Sequence, residues 1–430
     1  MATPAQQKWI TEATATWNRQ RSLPFETTYD QRDRMAELWS LVHDGGEQVV
    51  RTFRELPEPE IQASQQMIRN VYSGSATDLW RVNADQRAIV TALAAAILEI
   101  DSRLSLQPIF RGRPPSGEVL LASNDVYVVP RGRPKTTGRQ EGPGNTHPRR
   151  ATPNHCMIPR VLQGMFEVEI IVDDHLSIAA SREAPLKLGA ALWPQQKMAW
   201  EQDEEKGWTA KSASSSADGA TIKAQVKGCA DDRPFAAVWP ELSMSPPRLA
   251  ALSAALRAEF EWCDPLESPL IIAAGSWHEQ VDGETRNVLK VLDRAGNLRI
   301  EIAKISRFFG GGLKEGNVAD QHIKVLWTPD GLVSFAICSD FCDLAIPPPP
   351  FIDLDVDFLL IPSLGNRQAF VGHEANRLRR AIVTAGETFL VQQNEEGGRP
   401  LGWVLPVRNS KRVRKEEEND SWSTRVVDRA

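Results

Sequence analysis

The chain of 430 residues has little cysteine, no long apolar run and no excess of basic charge, and each shortage removes a class of protein. Five cysteines (Cys156, Cys229, Cys263, Cys338, Cys342) are odd in number and widely spread, which argues against a disulfide framework and for a reducing cytoplasm. No stretch approaches the roughly 18 to 20 apolar residues of a membrane span. The longest candidate, "AIVTALAAAIL" from Ala88, is too short, so no membrane association is expected. The opening residues, "MATPAQQKWITEATATWNRQ", hold no basic segment followed by an apolar one, and no secretory leader is expected there. A net charge of -6 gives no global pull toward nucleic acid or anionic membrane, so any such binding must be local. The first half has no polymerase-like pair of aspartates on a hairpin, and no internal repeat is visible.

What remains is an ordinary globular composition on a chain longer than one core usually supports, so at least two domains are expected. Residues 1–105 read as helix. "RDRMAELWSLVHDGGEQVVRTFREL" sets apolar residues at helical spacing around Gly45-Gly46, and "NADQRAIVTALAAAILEIDSRL" has Asn83 and Gln86 in capping-box positions. Residues 106–186 read as mixed β structure and linker, with "EVLLASNDVYVV" as two β-rich runs about a turn. Residues 131–155 form a Pro/Gly/Arg-rich loop. Its Arg131, Arg133, Lys135, Arg139, Arg149 and Arg150 could meet phosphate, or simply be solvated, since no aromatics are interleaved. His147, His155 and Cys156 invite a zinc reading, but their spacing fits no closed ligand set, and no metal is expected.

From residue 187 to 406 strands and helices alternate. "LKLGAALW", "PFAAVWPE", "PLIIAAGSWHE", "NVLKVLD", "LRIEIAKI", "HIKVLW", "LVSFAICSD", "DFLLIPS" and "ETFLVQQN" are β-rich, and "SPPRLAALSAALRAEFEWC" and "FVGHEANRLRRAIVTAG" are amphipathic helices between them. The class of this half is α/β. Residues 407–430 read as a charged tail.

In an open α/β sheet, chemistry gathers where strands end. Four reactive residues stand at such ends: Glu241 after "FAAVWP", Lys304 after "LRIEIA", Glu315 in the following loop, and Cys338 after "LVSFAI". Carboxylate, ammonium and thiol are the parts of an acyl-transfer site. Each has a plainer alternative. A strand-end cysteine is usually a small hydrophobe, Glu241 could cap the helix after it, and Lys304 could be solvated. Asp340 reads as structural, Cys342 as packing or a neighbour of the site kept protonated by apolar surroundings, and His278, His322 and His373 as structural by default.

Taken in order, "VWPEL", "IEIAKI" and "AICSDF" resemble the signatures of the nitrilase superfamily of carbon–nitrogen hydrolases over residues 187–406. The resemblance implies a four-layer α-β-β-α sandwich. It also implies a thioester route in which Cys338 attacks a non-peptide amide or nitrile, Glu241 is the base, Lys304 and the Ser339 N–H hold the oxyanion, and Glu315 orients lysine and substrate. It implies no cofactor, and a homo-oligomer. The flanks depart from the family pattern: Ser339 follows the cysteine, Ser306 stands where a histidine is usual, and "FCDLAIPPPP" replaces the customary continuation. Those departures fall around the substrate pocket, so specificity does not transfer. A competing reading is a nitrilase-like scaffold, or an assembly-activated component of bacterial antiviral defence working beside a reverse transcriptase, with a nucleic-acid or protein partner met by the N-terminal half.

Overall fold

The computed structural model describes residues 3–22, 27–72, 85–106, 116–131, 152–177, 186–215, 217–261, 271–310, 312–343, 348–384, 386–410 and 413–427. The chain divides into two compact units, Met1–Leu162 with Ile382–Ala385, and Gln163–Ala381 with Gly386–Arg429. Among the described residues, no helix is long and apolar enough to cross a membrane.

The first unit is largely helical, with helices Pro4–Ser22, Thr28–His43, Glu47–Glu55, Glu58–Tyr72 and Gln86–Leu104. Gln86–Leu104 buries Ile89, Val90, Leu93, Ala94, Ile97, Ile100 and Leu104, which makes it the helix the others pack around. Its cap differs from the sequence expectation. Asp85, not Asn83, accepts the Ala88 N–H at 2.8 Å, two residues closer to the apolar run, and Asn83 lies outside the described residues. Only the second half of "EVLLASNDVYVV" is a strand, Val126–Pro130, paired antiparallel with His155–Pro159. The first half closes as a single 3-10 turn, Glu118–Leu120. Of the basic loop, residues 132–151 lie outside the described residues, and with them Arg133, Lys135, Arg139, His147, Arg149 and Arg150. Arg131 is buried and donates to the Asn154 and Thr152 carbonyls, so it holds the end of the loop instead of facing phosphate. His155 lies 2.7 Å from Asp101, a buried pairing that accounts for it without a metal.

The second unit is built on two mixed sheets. In one, the strands run in the order Leu298–Ala303, Glu284–Leu292, Ile271–Val281, Ala236–Val238, Leu186–Ala191, Trp422–Val427. In the other, the order is Val413–Glu418, Gly402–Ser410, Glu387–Asn394, Phe358–Gly365, Gly331–Phe335, His322–Thr328, Phe166–Ile171. The central pairings Leu186–Ala191 with Ala236–Val238, Ala236–Val238 with Ile271–Val281, and Gly331–Phe335 with Phe358–Gly365 are parallel. Runs such as Phe358–Ile361 are apolar without alternation because both faces are covered. One core lies where side chains of both sheets meet: Leu188, Val238, Ala273, Val291 and Ile302 from the first, Val333, Phe335, Leu360, Val391 and Val404 from the second. A second core, including Ile222, Val226, Leu252, Leu256 and Phe260, lies where helices Asp218–Asp232 and Pro246–Phe260 cover the outer face of the first sheet.

Three segments depart from the sequence reading. The unit begins at 163, before the expected 187, because Phe166–Ile171 pairs in parallel with His322–Thr328. In the stretch after residue 406, expected as a charged tail, the strands Gly402–Ser410, Val413–Glu418 and Trp422–Val427 are found among the described residues. Arg425 pairs there with Glu418 in the interior at 3.3 Å. Finally, Lys197–Asp203 and Gly207–Ser214 form an antiparallel hairpin where no strand was read, since the run is mostly polar and its tip is acidic.

Candidate active site

Residues that follow four strands converge on one buried cluster in the second unit. Glu241 leaves Ala236–Val238 on a loop held by local bonds. The Leu242 N–H donates to Ser276 Oγ at 3.2 Å, and Ser243 Oγ donates to the Pro240 carbonyl at 2.7 Å. Gly275, at φ 75°, is needed here, because a Cβ would stand 2.4 Å from the Pro240 oxygen. Lys304 follows Leu298–Ala303, and its N–H pairs with the Asn287 carbonyl of the neighbouring strand at 2.9 Å. Glu315 sits beyond a two-residue ladder, Phe309–Gly310 with Leu313–Lys314, and its N–H donates to the Phe308 carbonyl at 2.7 Å.

The charged groups meet with short bonds. Lys304 Nζ lies 2.7 Å from Glu241 Oε1 and 2.7 Å from Glu315 Oε2, and all three side chains are almost fully buried. Asn287 Nδ2 donates to Glu241 Oε1 at 3.0 Å and to Glu315 Oε1 at 2.8 Å. The Leu364 N–H, from the second sheet, donates to Glu241 Oε2 at 3.2 Å. His278 Nδ1 accepts the Ala210 N–H at 2.8 Å, which leaves Nε2 to carry the proton toward Glu315 Oε1 at 3.1 Å.

Cys338 sits where Gly331–Phe335 turns into the short helix Ser339–Cys342. Its backbone has φ 45° and ψ -103°, a strained conformation for a residue with a side chain. The Cys338 N–H is tied to the Pro362 carbonyl at 3.0 Å. Its Sγ accepts from Ser363 Oγ at 3.2 Å and faces the Leu364 carbonyl at 3.6 Å. Ser339 opens the short helix, so its N–H has no intrahelical acceptor. Asp340 fastens this turn to the lysine loop, accepting from the Ile337 N–H at 2.9 Å, the Ser306 N–H at 2.9 Å and Ser306 Oγ at 2.7 Å.

Burial disfavours the Lys304 ammonium, yet the Glu241 and Glu315 carboxylates outweigh it and hold its pKa well above the ordinary lysine value. Burial would raise Glu315, but the Lys304 charge and the His278 hydrogen bond pull it down to about 2. The hydrogen bond with Cys342, burial and the Glu241 carboxylate together push the Cys338 thiol well up, so it rests protonated. Cys342 is held below the usual thiol value by that same hydrogen bond. Burial lifts Asp340 to about 7 and, with the Lys304 charge, drops His373 to about 3. Cys338 Sγ, Cys342 Sγ and a His373 nitrogen lie within 4.8 Å of one another, a soft donor set for a thiophilic ion, though the Lys304 charge stands close to it.

The structure thus brings together Glu241, Lys304, Glu315 and Cys338, the four residues singled out at strand ends. Sequence reasoning missed Asn287, Ser363 and the contribution of His278 and His373. His373 Nε2 lies 3.2 Å from Ser363 Oγ, and Ser363 in turn bonds the thiol. Asn287, His278 and Ser363 are polar residues within strands, and His373 lies on helix Arg367–Thr384. His322 stays apart, exposed beside Asp320.

Neither the family models nor the curated proteins contain a match to this chain. Among solved structures, an amidase from Nesterenkonia sp. is similar at 13% identity, over 50% of this chain and 80% of that one, with a TM-score of 0.36. A cysteine-to-serine variant of the Nesterenkonia AN1 amidase, described as from the nitrilase superfamily, matches at 12% identity over 52% of this chain and 84% of that one, with a TM-score of 0.37. A further variant of that amidase, 12% identical over 53% of this chain and 84% of that one with a TM-score of 0.37, carries the acetamide moiety of fluoroacetamide covalently on its active site cysteine.

Proposed function

We propose that the second unit is a carbon–nitrogen hydrolase that opens a non-peptide amide or nitrile through a cysteine thioester. The observation that carries the reading is the buried Lys304 ammonium held between two carboxylates beside a cysteine on a strained turn.

In this reading Glu241 takes the Cys338 proton as sulfur adds to the substrate carbon, since a thiol held protonated at rest needs a base at the moment of attack. Lys304 Nζ and the Ser339 N–H hold the developing oxyanion. For an amide, the C–N bond then breaks, Glu241 returns the proton to the departing nitrogen, and a thioester remains on Cys338. Glu241 next removes a proton from water, which adds to the thioester carbon. Collapse releases the acid and restores the thiol. Glu315, fixed by Asn287 and His278, keeps Lys304 charged and aimed. Side chains and one backbone N–H fill every role, so the scheme calls for no cofactor.

The finer fold assignment belongs to the same proposal. Helices Asp218–Asp232 and Pro246–Phe260 on one sheet, and Arg367–Thr384 against Phe358–Gly365 through the His373–Ser363 bond, support an α-β-β-α layering.

A panel of small amides and nitriles, assayed for release of ammonia or amine with Cys338→Ala as control, tests the activity. Trapping followed by mass spectrometry should place an acyl group on Cys338. No turnover of any member, together with no adduct on Cys338, would reject the reading.

A further inference from the structure

The hairpin formed by Lys197–Asp203 and Gly207–Ser214 is bonded to the back of the charged cluster. Trp208 bridges to Glu315, the Gly316 N–H donates to the Trp208 carbonyl at 2.8 Å, and the Ala210 N–H fixes His278. Gly207, at φ 97°, makes this approach possible, since a Cβ there would stand 2.3 Å from the Lys314 carbonyl oxygen.

From that anchor the hairpin extends an aromatic series outward. The Trp208 ring meets His278 edge-on at 5.8 Å, Phe308 at 6.4 Å and Trp200 at 5.0 Å. Phe308, whose N–H donates to Glu315 Oε2 at 3.1 Å, remains 42% exposed, and Trp200 41%. On the inner side, Trp208 and Met198 pack with Leu242, Trp277 and Leu364. Leu242 follows Glu241, and Leu364 bonds both Glu241 and the Cys338 thiol. An apolar surface therefore runs from the reacting groups to solvent. Aromatic rings left partly bare beside a buried polar site are costly to leave wet and well suited to a ring partner. The exposed tip of the hairpin carries Glu201, Asp203, Glu204, Glu205 and Lys206, and Arg307 and Lys314 are exposed beside the wall, so the selection made there is by shape and apolar contact.

We infer that this hairpin is the specificity wall of the site, and that the substrate carries a flat, apolar ring next to its C–N bond. The inference deepens the hydrolase reading and rests on it for the identity of the reacting bond. The ring lies on Trp208 and Phe308, while the amide or nitrile reaches Cys338.

Binding to the full chain carrying Cys338→Ala tests this without turnover. Titration calorimetry would compare phenylacetamide, with its ring on the acyl side, acetanilide, with its ring on nitrogen, and acetamide. At least one aryl amide should bind about tenfold or more tightly than acetamide, and the better arm tells which side of the bond faces the wall. Trp200→Ala and Phe308→Ala, both at part-exposed positions, should each weaken that binding by about threefold to tenfold, while Trp208→Phe should retain it. Aryl amides that bind no better than acetamide, or binding indifferent to both alanine changes, would overturn the wall. Ring-dependent binding with a wild-type chain that hydrolyses nothing would uphold the wall and reject only the hydrolase reading.

Discussion

Lys304 Nζ stands 2.7 Å from Glu241 Oε1, so the proposed base is one partner of a buried ion pair. Glu241→Gln keeps an oxygen for Lys304, turns its NH2 toward the Leu364 N–H, and cannot accept a thiol proton. Turnover should fall by about 100-fold to 10,000-fold with the circular dichroism spectrum unchanged. Activity within about tenfold of the parent would assign the base elsewhere.

Asn287 donates one amide group to both carboxylates. Asn287→Leu leaves each short of a donor in the interior, and urea denaturation should show a loss of about 1–3 kcal/mol. Asn287→Asp should be worse, because it sets a third carboxylate against two and one ammonium. A variant as stable as the parent would mean that the Asn287 contacts are incidental.

The two cysteines should separate by reagent. Cys342, held below the ordinary thiol value, should react first near neutral pH with methyl methanethiosulfonate, which carries neither amide nor nitrile. A substrate-like electrophile, seated by the cluster, should label Cys338 instead. Lys304→Ala should slow both reactions, the second more than the first, because the Lys304 charge also lowers the Cys342 thiol. Peptide mapping that found the same cysteine first with both reagents would contradict this division.

Glu315 is pulled from its ordinary 4.5 to about 2, so the folded state binds its proton less readily than the unfolded chain. Its stabilisation is complete above about pH 4.5 and fades as pH falls toward 2. The gap in urea midpoint between the parent and Glu315→Gln should be constant from pH 7 to about 5 and close at lower pH. A gap that widened on acidification would reverse the sign argued here.

Much of this was legible because the reactive residues interrupt apolar runs. Cys338 ends "LVSFAI" and Glu241 follows "FAAVWP", and a charge or thiol at that point cannot be explained by packing alternation. Asn287 and His278 were not legible, since a polar residue within a strand ordinarily faces water, and only the register of Glu284–Leu292 against Ile271–Val281 turns both inward. Helix Asp218–Asp232 escaped because lysine, glutamine and glycine dilute its apolar face. The hairpin Lys197–Ser214 and the strands after residue 406 escaped because their charge content reads as solvent-facing chain. Partners far away in sequence, such as Leu186–Ala191 for Trp422–Val427, give them their place.

That last pairing bears on biosynthesis. Trp422 lies over Gly189 and Gly228, where a Cβ would stand 2.3 Å and 2.4 Å from its ring, and its Nε1 donates to Asp232 at 2.8 Å. Leu186–Ala191 emerges from the ribosome long before the strand that covers it. Until then the nascent chain carries a bare, apolar sheet edge able to recruit the same edge of a neighbour. Ribosome stalling, or a premature stop before Trp422, should therefore show itself as aggregation in the cell, and a polysome is where a chaperone would be needed most.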